Sequence, residues 1–198
     1  MGNLLIGRFA ASFAAAYPDI LLEVHFLDRA PDLLEEGFDG AVRFGPIEDS
    51  GQVARRLMDG HAVVVASPGL ADITALHSPD QLDRYPAIGL ANPWVGCWTL
   101  QRHGEPPREV AVRPRLLLGS MLAVRDAARA GAGIAVLPAL LAAPEIASGH
   151  LRHVLPGWET PRKPLTFVSP SALSVTHRLR VFIDHLAREL REMMPANP

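Results

Sequence analysis

Apolar and polar positions follow two different periods in the first third of the chain. Over 4–16 the apolar residues recur every three to four positions, which predicts an amphipathic helix that ends before Pro18. Over 20–26 they alternate, which predicts a strand. Two further strands are predicted at 40–44 and 62–66. Strands that alternate with short helices indicate an α/β fold with a parallel-rich sheet.

Helix-start signals occur at two further places. Pro31 suits the first turn of a short helix that Gly37 would end. Ser78, Pro79 and Gln81 form a capping-box signal, with serine at the cap and glutamine three residues later, so a helix is expected there. The other predicted elements are strands at 87–90, 97–102, 109–112 and 165–169 and a closing helix with an apolar stripe over 179–190.

The stretch from Leu116 to Pro138 contains a complete βαβ pattern. Ser120 is suited to cap the helix, because its hydroxyl accepts from first-turn amides that have no carbonyl partner. Gly131 or Gly133 is suited to end it in the left-handed conformation. Such amides, at a helix that follows a strand's carboxyl end, form a small site for a carboxylate or another anion. The alternative is a helix that only packs on a sheet.

Composition narrows the function classes. The chain has 198 residues, of which 48% are hydrophobic, and a formal net charge of -2, which argues against a general nucleic-acid surface. Cys97 is the single cysteine, so an internal disulfide is excluded. No apolar run reaches the ~18 residues of a membrane span. The first residues lack the basic start of a signal sequence, so we expect a cytoplasmic protein.

Catalytic and metal motifs are missing from the sequence. There is no G-x-S-x-G, Walker or HExxH pattern, and Cys97 has no histidine nearer in sequence than His103. His150 and His153 are spaced like metal ligands but lack a neighbouring carboxylate or cysteine, so we expect both to face solvent. We therefore predict no catalytic residue, no metal and no cofactor.

Several stretches together resemble the effector-binding domain of LysR-type transcriptional regulators, in which they occur in the same order and with the same spacing. These stretches are FAAAYPDILLEV (13–24), DLLEEGFDGAVRFG (32–45), VARRL (53–57) with VVVASP (63–68), AARAGAGIAVLP (127–138) and LRVFIDHLARE (179–189). The resemblance implies a fold like that of type II periplasmic binding proteins, with two Rossmann-like α/β lobes around a hinge and a small-molecule cleft between them. We expect lobe one at 1–68 plus 169–198 and lobe two at 69–168.

Two parts that the resemblance implies are not found in this sequence. Family members carry a winged helix-turn-helix ahead of this domain, so DNA binding is expected only of a parent protein. The family's first strand, which precedes the opening helix, is also missing. We therefore expect an unpaired sheet position in lobe one, which favours dimerisation or aggregation.

Arg43 is the first candidate for effector binding. It ends a predicted strand beside the implied cleft, where arginine suits a bidentate bond to a carboxylate. The alternative is an ion pair with Asp39 or Asp49. Phe44 and Gly45 would supply an apolar wall and permit close approach of the ligand.

The other candidate contacts lie at element ends or are aromatic. Ser120 and Met121 begin the βαβ helix, with capping and core packing as alternative roles. Trp94 and Trp98 are placed to stack on an aromatic ligand or to pack in the core. The complete candidate set is Arg43, Phe44, Gly45, Ser67, Trp98, Ser120, Met121 and Pro138, of which Ser67 also suits an ordinary helix start and Pro138 closes the βαβ unit.

The resemblance implies a ligand-sensing regulatory domain that binds a small-molecule effector, such as a carboxylate, and controls transcription through a parent protein. It also implies a homodimer or higher oligomer, with the helices at 4–16 and 120–130 as candidate surfaces. Two other classes share the architecture. A solute-binding protein of a transport system is the alternative, and an enzyme is disfavoured because no nucleophile or metal set is present.

Overall fold

A computed structural model describes residues 3–27, 30–47, 52–91, 96–170 and 176–193. The helices are α1 (Asn3–Ala16), α2 (Met121–Arg129), α3 (Ala139–Ala147) and α4 (His177–Met193), with short 3-10 helices at Ile73–Ala75 and Pro79–Arg84. The strands are β1 (Ala41–Phe44), β2 (Val53–Gly60), β3 (Ala62–Ala66), β4 (Pro86–Leu90), β5 (Cys97–Arg102), β6 (Arg108–Ala111), β7 (Arg113–Leu118), β8 (Ile134–Pro138), β9 (Arg152–His153), β10 (Trp158–Glu159) and β11 (Lys163–Ser169). This mixture confirms the predicted α/β class.

The described residues form two compact units. Unit 1 is the continuous segment His61–Arg162, and unit 2 combines Asn3–Gly60 with the described residues from Lys163 onward. The chain therefore passes between the units twice, after Gly60 and after Arg162. The lobe boundaries expected from the sequence, after 68 and after 168, remain a prediction.

Unit 1 is built on a mixed sheet with the order β6-β5-β10-β3-β8-β4-β7, and β9 also pairs with β3. β4 lies between β7 and β8 and is parallel to both. The predicted βαβ unit is therefore β7, α2 and β8, with β4 inserted between its two strands. Every residue of β3 is buried. Because side chains alternate along a strand, Val64 and Val65 pack into separate apolar clusters.

Two glycines that follow α2 have different roles. Gly131 adopts a φ of +79° directly after the C-cap Ala130, so it is the residue that ends the helix. Gly133 is needed for close packing, because a Cβ built there would lie 2.1 Å from the Pro86 carbonyl oxygen at the start of β4. The alternative left open by the sequence is thereby resolved in favour of Gly131.

Unit 2 contains the antiparallel sheet β1-β11-β2 together with α1 and α4. Phe9 and Phe13 of α1 contact Phe182 of α4 edge to face, with ring centroids 5.5 Å and 5.4 Å apart. His185 is 3% exposed. Its Nδ1 accepts from Arg188 Nη2 at 2.7 Å, and its Nε2 lies 2.9 Å from Ser12 Oγ.

Three predicted elements differ from the structure. The segment 20–27 is not paired as a strand, and Leu21 and Phe26 are 93% and 53% exposed. A strand needs a backbone partner, and alternation in the sequence does not supply one. The segment 33–37 forms turns in place of a helix. The capping box at Ser78 forms as predicted, but it starts a 3-10 helix.

The strand β1 forms one edge of the unit 2 sheet, and whether a missing first strand leaves this position unpaired stays a prediction. Among the described residues, β1 pairs only with β11 and has no strand on its other side. Val42 and Phe44 on this strand are 40% and 50% exposed. An unpaired edge beside exposed apolar residues is a template for pairing with another chain.

Across the same described ranges, no helix is both long and apolar enough to cross a membrane.

We predict that Gly133→Ala destabilises unit 1, because the new methyl group must displace β4. The expected loss is about 1–3 kcal/mol in the free energy of unfolding. All three tryptophans, at 94, 98 and 158, fall within the sequence limits of unit 1, so urea unfolding followed by tryptophan fluorescence measures this unit. Gly119→Ala is the matched control, since nothing lies within 4 Å of its Cβ position. Equal stability of the two variants would contradict the packing role of Gly133.

Candidate functional site

Arg43 lies on β1 opposite Thr166 of β11 and is partly buried. Its Nη2 donates to the Pro31 carbonyl oxygen at a long 3.5 Å, and its Nε is buried without a hydrogen-bond partner. No ion pair with Asp39 is formed, and Asp49 lies outside the described residues. Most of the donors of this guanidinium are therefore unused by the residues that the structure describes.

Phe44 does not share a strand face with Arg43. Exposure alternates along β1, so the Arg43 and Phe44 side chains point to opposite faces of the sheet. The Phe44 ring covers Gly60, where an added Cβ would lie 2.8 Å from Phe44 Cε2. Gly45 is buried with a φ of +105°, and its amide donates to the Pro164 carbonyl oxygen at 2.9 Å. These two residues shape the end of β1.

Ser120 is the N-cap of α2, as the sequence predicts. Its Oγ accepts from the Leu122 amide at 3.3 Å, and its carbonyl oxygen accepts from the Val124 amide at 3.0 Å. Met121 is partly buried and packs against the apolar cluster beneath the helix. The capping and packing roles are thus both observed. The Ser120 cap satisfies the Leu122 amide, and other amides in the first turn of α2 still have no carbonyl partner within the helix.

Three other candidate residues lie in unit 1 with structural contacts of their own. Ser67 Oγ accepts from the Gly69 amide at 3.3 Å within a turn, so the helix start that the sequence left open is not formed at Ser67. Pro138 pairs with Ala62 at the end of β8 and directly precedes α3. Trp98 is 9% exposed and belongs to a core cluster, so little of its ring is accessible to a ligand. Trp94 lies outside the described residues.

The two histidines considered as metal ligands have different surroundings. The His150 side chain is 55% exposed, as expected, and its Nδ1 lies 3.5 Å from Glu145 Oε2. His153 is partly buried, and its Nε2 is buried without a partner, so the expectation that it faces solvent is wrong. Within the ranges described, no group of three or more histidine, cysteine or acidic residues is arranged to hold a metal ion.

A pocket in unit 1 was not predicted from the sequence. It has a volume of about 260 Å³ and is lined by residues from 73–77 and from 152–158. The two segments are far apart in sequence and neither carries a recognised motif, so no local signal marks the pocket. Its polar residues include His153, whose pKa is lowered from its ordinary value by burial.

Comparison with known proteins gives a consistent set of similarities. The family model for the LysR substrate binding domain matches residues 1–191. The HTH-type transcriptional regulator PtxR of Pseudomonas aeruginosa is 39% identical over 192 residues, which cover 93% of this chain and 61% of PtxR. The chain thus spans about three-fifths of the length of this curated relative.

The solved structures with a similar fold include regulatory domains of two transcriptional regulators. The regulatory domain of CrgA, a LysR-type transcriptional regulator from Neisseria meningitidis, has a TM-score of 0.75 and 30% identity, covering 94% of this chain and 92% of that one. The effector domain of the transcriptional regulator AmpR of Pseudomonas aeruginosa has a TM-score of 0.76 and 25% identity, covering 96% and 90%. Each likeness extends over nearly the whole chain.

We predict that Ser120→Ala lowers the free energy of unfolding of unit 1 by about 1 kcal/mol, because the Leu122 amide loses its cap. Ser120→Asp is the control, since aspartate also caps and its charge suits a helix N-terminus. Urea titrations with tryptophan fluorescence measure both variants. An alanine variant as stable as the wild type would show that the cap contributes nothing measurable to unit 1.

Proposed function

The chain belongs to the LysR substrate binding domain family, and we propose on this premise that it is the effector-binding domain of a transcriptional regulator. The membership confirms the resemblance given by the sequence, together with the fold class like that of type II periplasmic binding proteins. A small-molecule effector is the proposed ligand. Control of transcription is proposed for a longer protein that contains this chain.

The relatives support a regulatory role over the other two classes. PtxR and CrgA are named as transcriptional regulators, and the AmpR structure is named as an effector domain. None of the three is an enzyme or a solute-binding protein by name. We therefore propose action by binding rather than catalysis, with DNA contacted through a winged helix-turn-helix in the longer protein. On the same grounds we propose a cytoplasmic homodimer or higher oligomer.

Arg43 is the residue that we propose as the anchor for an acidic effector. The observation that supports this role is the state of its guanidinium, which has a buried Nε without a partner and no ion pair in the described chain. A partly buried cation with unused donors gains a pair of charge-assisted hydrogen bonds when a carboxylate approaches. A carboxylate thus supplies hydrogen-bond acceptors for the Arg43 N–H groups that have no partner among the described residues.

The other candidate contacts are proposed with narrower roles. Ser120 and Met121 offer first-turn amides of α2 to an anionic or polar group. Gly45 permits close approach at the end of β1, whereas Phe44, Ser67, Trp98 and Pro138 stay predictions from the sequence that no observed geometry supports. Trp98 is the weakest member, since it is 9% exposed. Effector binding would then regulate by favouring one conformation of the regulator, to the extent that the ligand binds that conformation more tightly.

We predict that small carboxylates that stabilise the protein do so through Arg43. At a concentration about 100 times its Kd, an acid that binds the native state is expected to raise the melting temperature by roughly 5 °C or more. Arg43→Gln should remove more than half of that shift, because glutamine cannot form the bidentate ion pair. Thermal shift across a panel of aromatic and aliphatic acids, each paired with its primary amide, measures the effect.

The control for this experiment is Arg178→Gln, which removes an exposed arginine of α4 in the same unit. It should leave every shift unchanged. Equal stabilisation of wild type and Arg43→Gln by the same acids would rule out Arg43 as the anchor. Equal stabilisation by acids and amides would rule out a carboxylate as the recognised group.

A further inference from the structure

The two ends of unit 1 are joined to each other by backbone contacts. His61 is the first residue of the segment that forms this unit and Arg162 is the last, so the chain passes between the units at these two points. The Thr160 amide donates to the Ala62 carbonyl oxygen at 2.9 Å, and Thr160 Oγ1 accepts from the Ala62 amide at 2.9 Å. The segment that enters unit 1 and the segment that leaves it are therefore bonded directly to each other.

Three side chains at these ends form a cluster around one carboxylate. His61 Nε2 lies 3.2 Å from Glu159 Oε2, and Arg162 Nε donates to Glu159 Oε1 at 3.3 Å. The His61 and Glu159 side chains are 12% and 27% exposed, so the contact between them is largely shielded from water. The first and the last residue of unit 1 thus contact the same carboxylate, each through a different oxygen.

The second nitrogen of the His61 ring makes protonation costly. Nδ1 is buried and has no hydrogen-bond partner among the described residues. A protonated imidazole carries an N–H on both nitrogens, so ionisation places a donor at Nδ1 that those residues leave unsatisfied. The closed cluster therefore favours the neutral form of the ring.

The groups around His61 act on its pKa in opposite directions. Burial is the largest effect and lowers the pKa of His61. Glu159 raises this pKa by attraction, whereas the positive charges of Arg162 and protonated His153 lower it, and the net change is downward. The first residue of α3 contributes a backbone contact, because the Ala139 amide donates to the His61 carbonyl oxygen at 2.9 Å. Opening the cluster would return the ring to water and its pKa to about 6.5, so acid favours the open form.

We propose that His61, Glu159 and Arg162 form a proton-sensitive latch, which holds the two ends of unit 1 together at neutral pH and releases them in acid. The stability that neutral His61 contributes is fully present above about pH 6.5 and is lost as the pH falls through the lowered pKa of the closed form. Release frees the two segments by which the chain passes between the units, so their mobility depends on pH. None of the three residues belongs to the proposed effector contacts, so the latch is tested without an effector.

The first measurement is the charge of His61 in the full wild-type chain, followed by imidazole NMR as the pH is lowered. His103 is the internal reference, since it is an exposed histidine in a turn of the same unit. We expect His61 to titrate at a lower pH than His103, because burial opposes its ionisation. A His61 ring that titrates at the same pH as His103, or at a higher one, would overturn the proposal.

The second measurement is amide hydrogen exchange, corrected for the intrinsic effect of pH on exchange. The reporters are the Ala62 and Thr160 amides, whose hydrogen bonds join the two ends. Their protection should fall about threefold or more between about pH 7.5 and about pH 5.5, because the latch opens locally. The reference is the Ile88 amide of β4, a strand that is paired on both sides, and its protection should change less.

Two variants assign the response to His61. His61→Gln keeps a polar side chain of similar length without a titrating group, and it should abolish the pH response of the Ala62 and Thr160 amides. His103→Gln is the matched control and should leave that response intact. A response that persists in His61→Gln, or an equal loss of protection at Ile88, would show that acid acts elsewhere in unit 1 and that the latch does not exist.

Discussion

Burial of β3 on both faces is the constraint on which unit 1 depends. Its five residues, Ala62–Ala66, are all buried, and the strand lies in the middle of the sheet order. Val64 belongs to the cluster that floors the pocket, and Val65 to the cluster beneath α2. A change in side-chain volume at Val64 or Val65 displaces the same backbone, so it affects the packing on both faces of the sheet. The short strand β9, which carries Arg152 and His153, pairs directly with it.

The second unit is stabilised by a different kind of contact. Its two helices meet through aromatic rings, and the buried His185 lies among them with both ring nitrogens engaged. A buried polar group with both of its bonding positions satisfied fixes the relative register of two helices more narrowly than apolar packing does. The sheet β1-β11-β2 is small by comparison, and its β1 edge carries the arginine that we propose as the effector anchor.

The sequence predicted the elements whose signals are local. The period of α1, the Ser120 cap and the capping box at Ser78 were all recovered, because each depends on neighbours within one helical turn. The strand at 20–26 was predicted wrongly, since its formation depends on a partner strand elsewhere. Arg43 was found as a candidate by its place at a strand end, but the opposite orientation of Phe44 follows only from the register of β1. The pocket was missed because its lining joins segments about eighty residues apart, and no local pattern encodes such a meeting.

The discontinuity of unit 2 has a consequence for biosynthesis. Unit 1 is one uninterrupted segment, and all of it is synthesised before α4. The Ser12 side chain contacts His185, which lies 173 positions later in the chain. Phe9 and Phe13 contact Phe182, so these contacts form only after α4 has been synthesised. The nascent chain therefore presents α1 without its aromatic partner from α4 while unit 1 is being synthesised. Unit 2 thus cannot complete its helix pair until α4 has been made, whereas unit 1 has no such requirement.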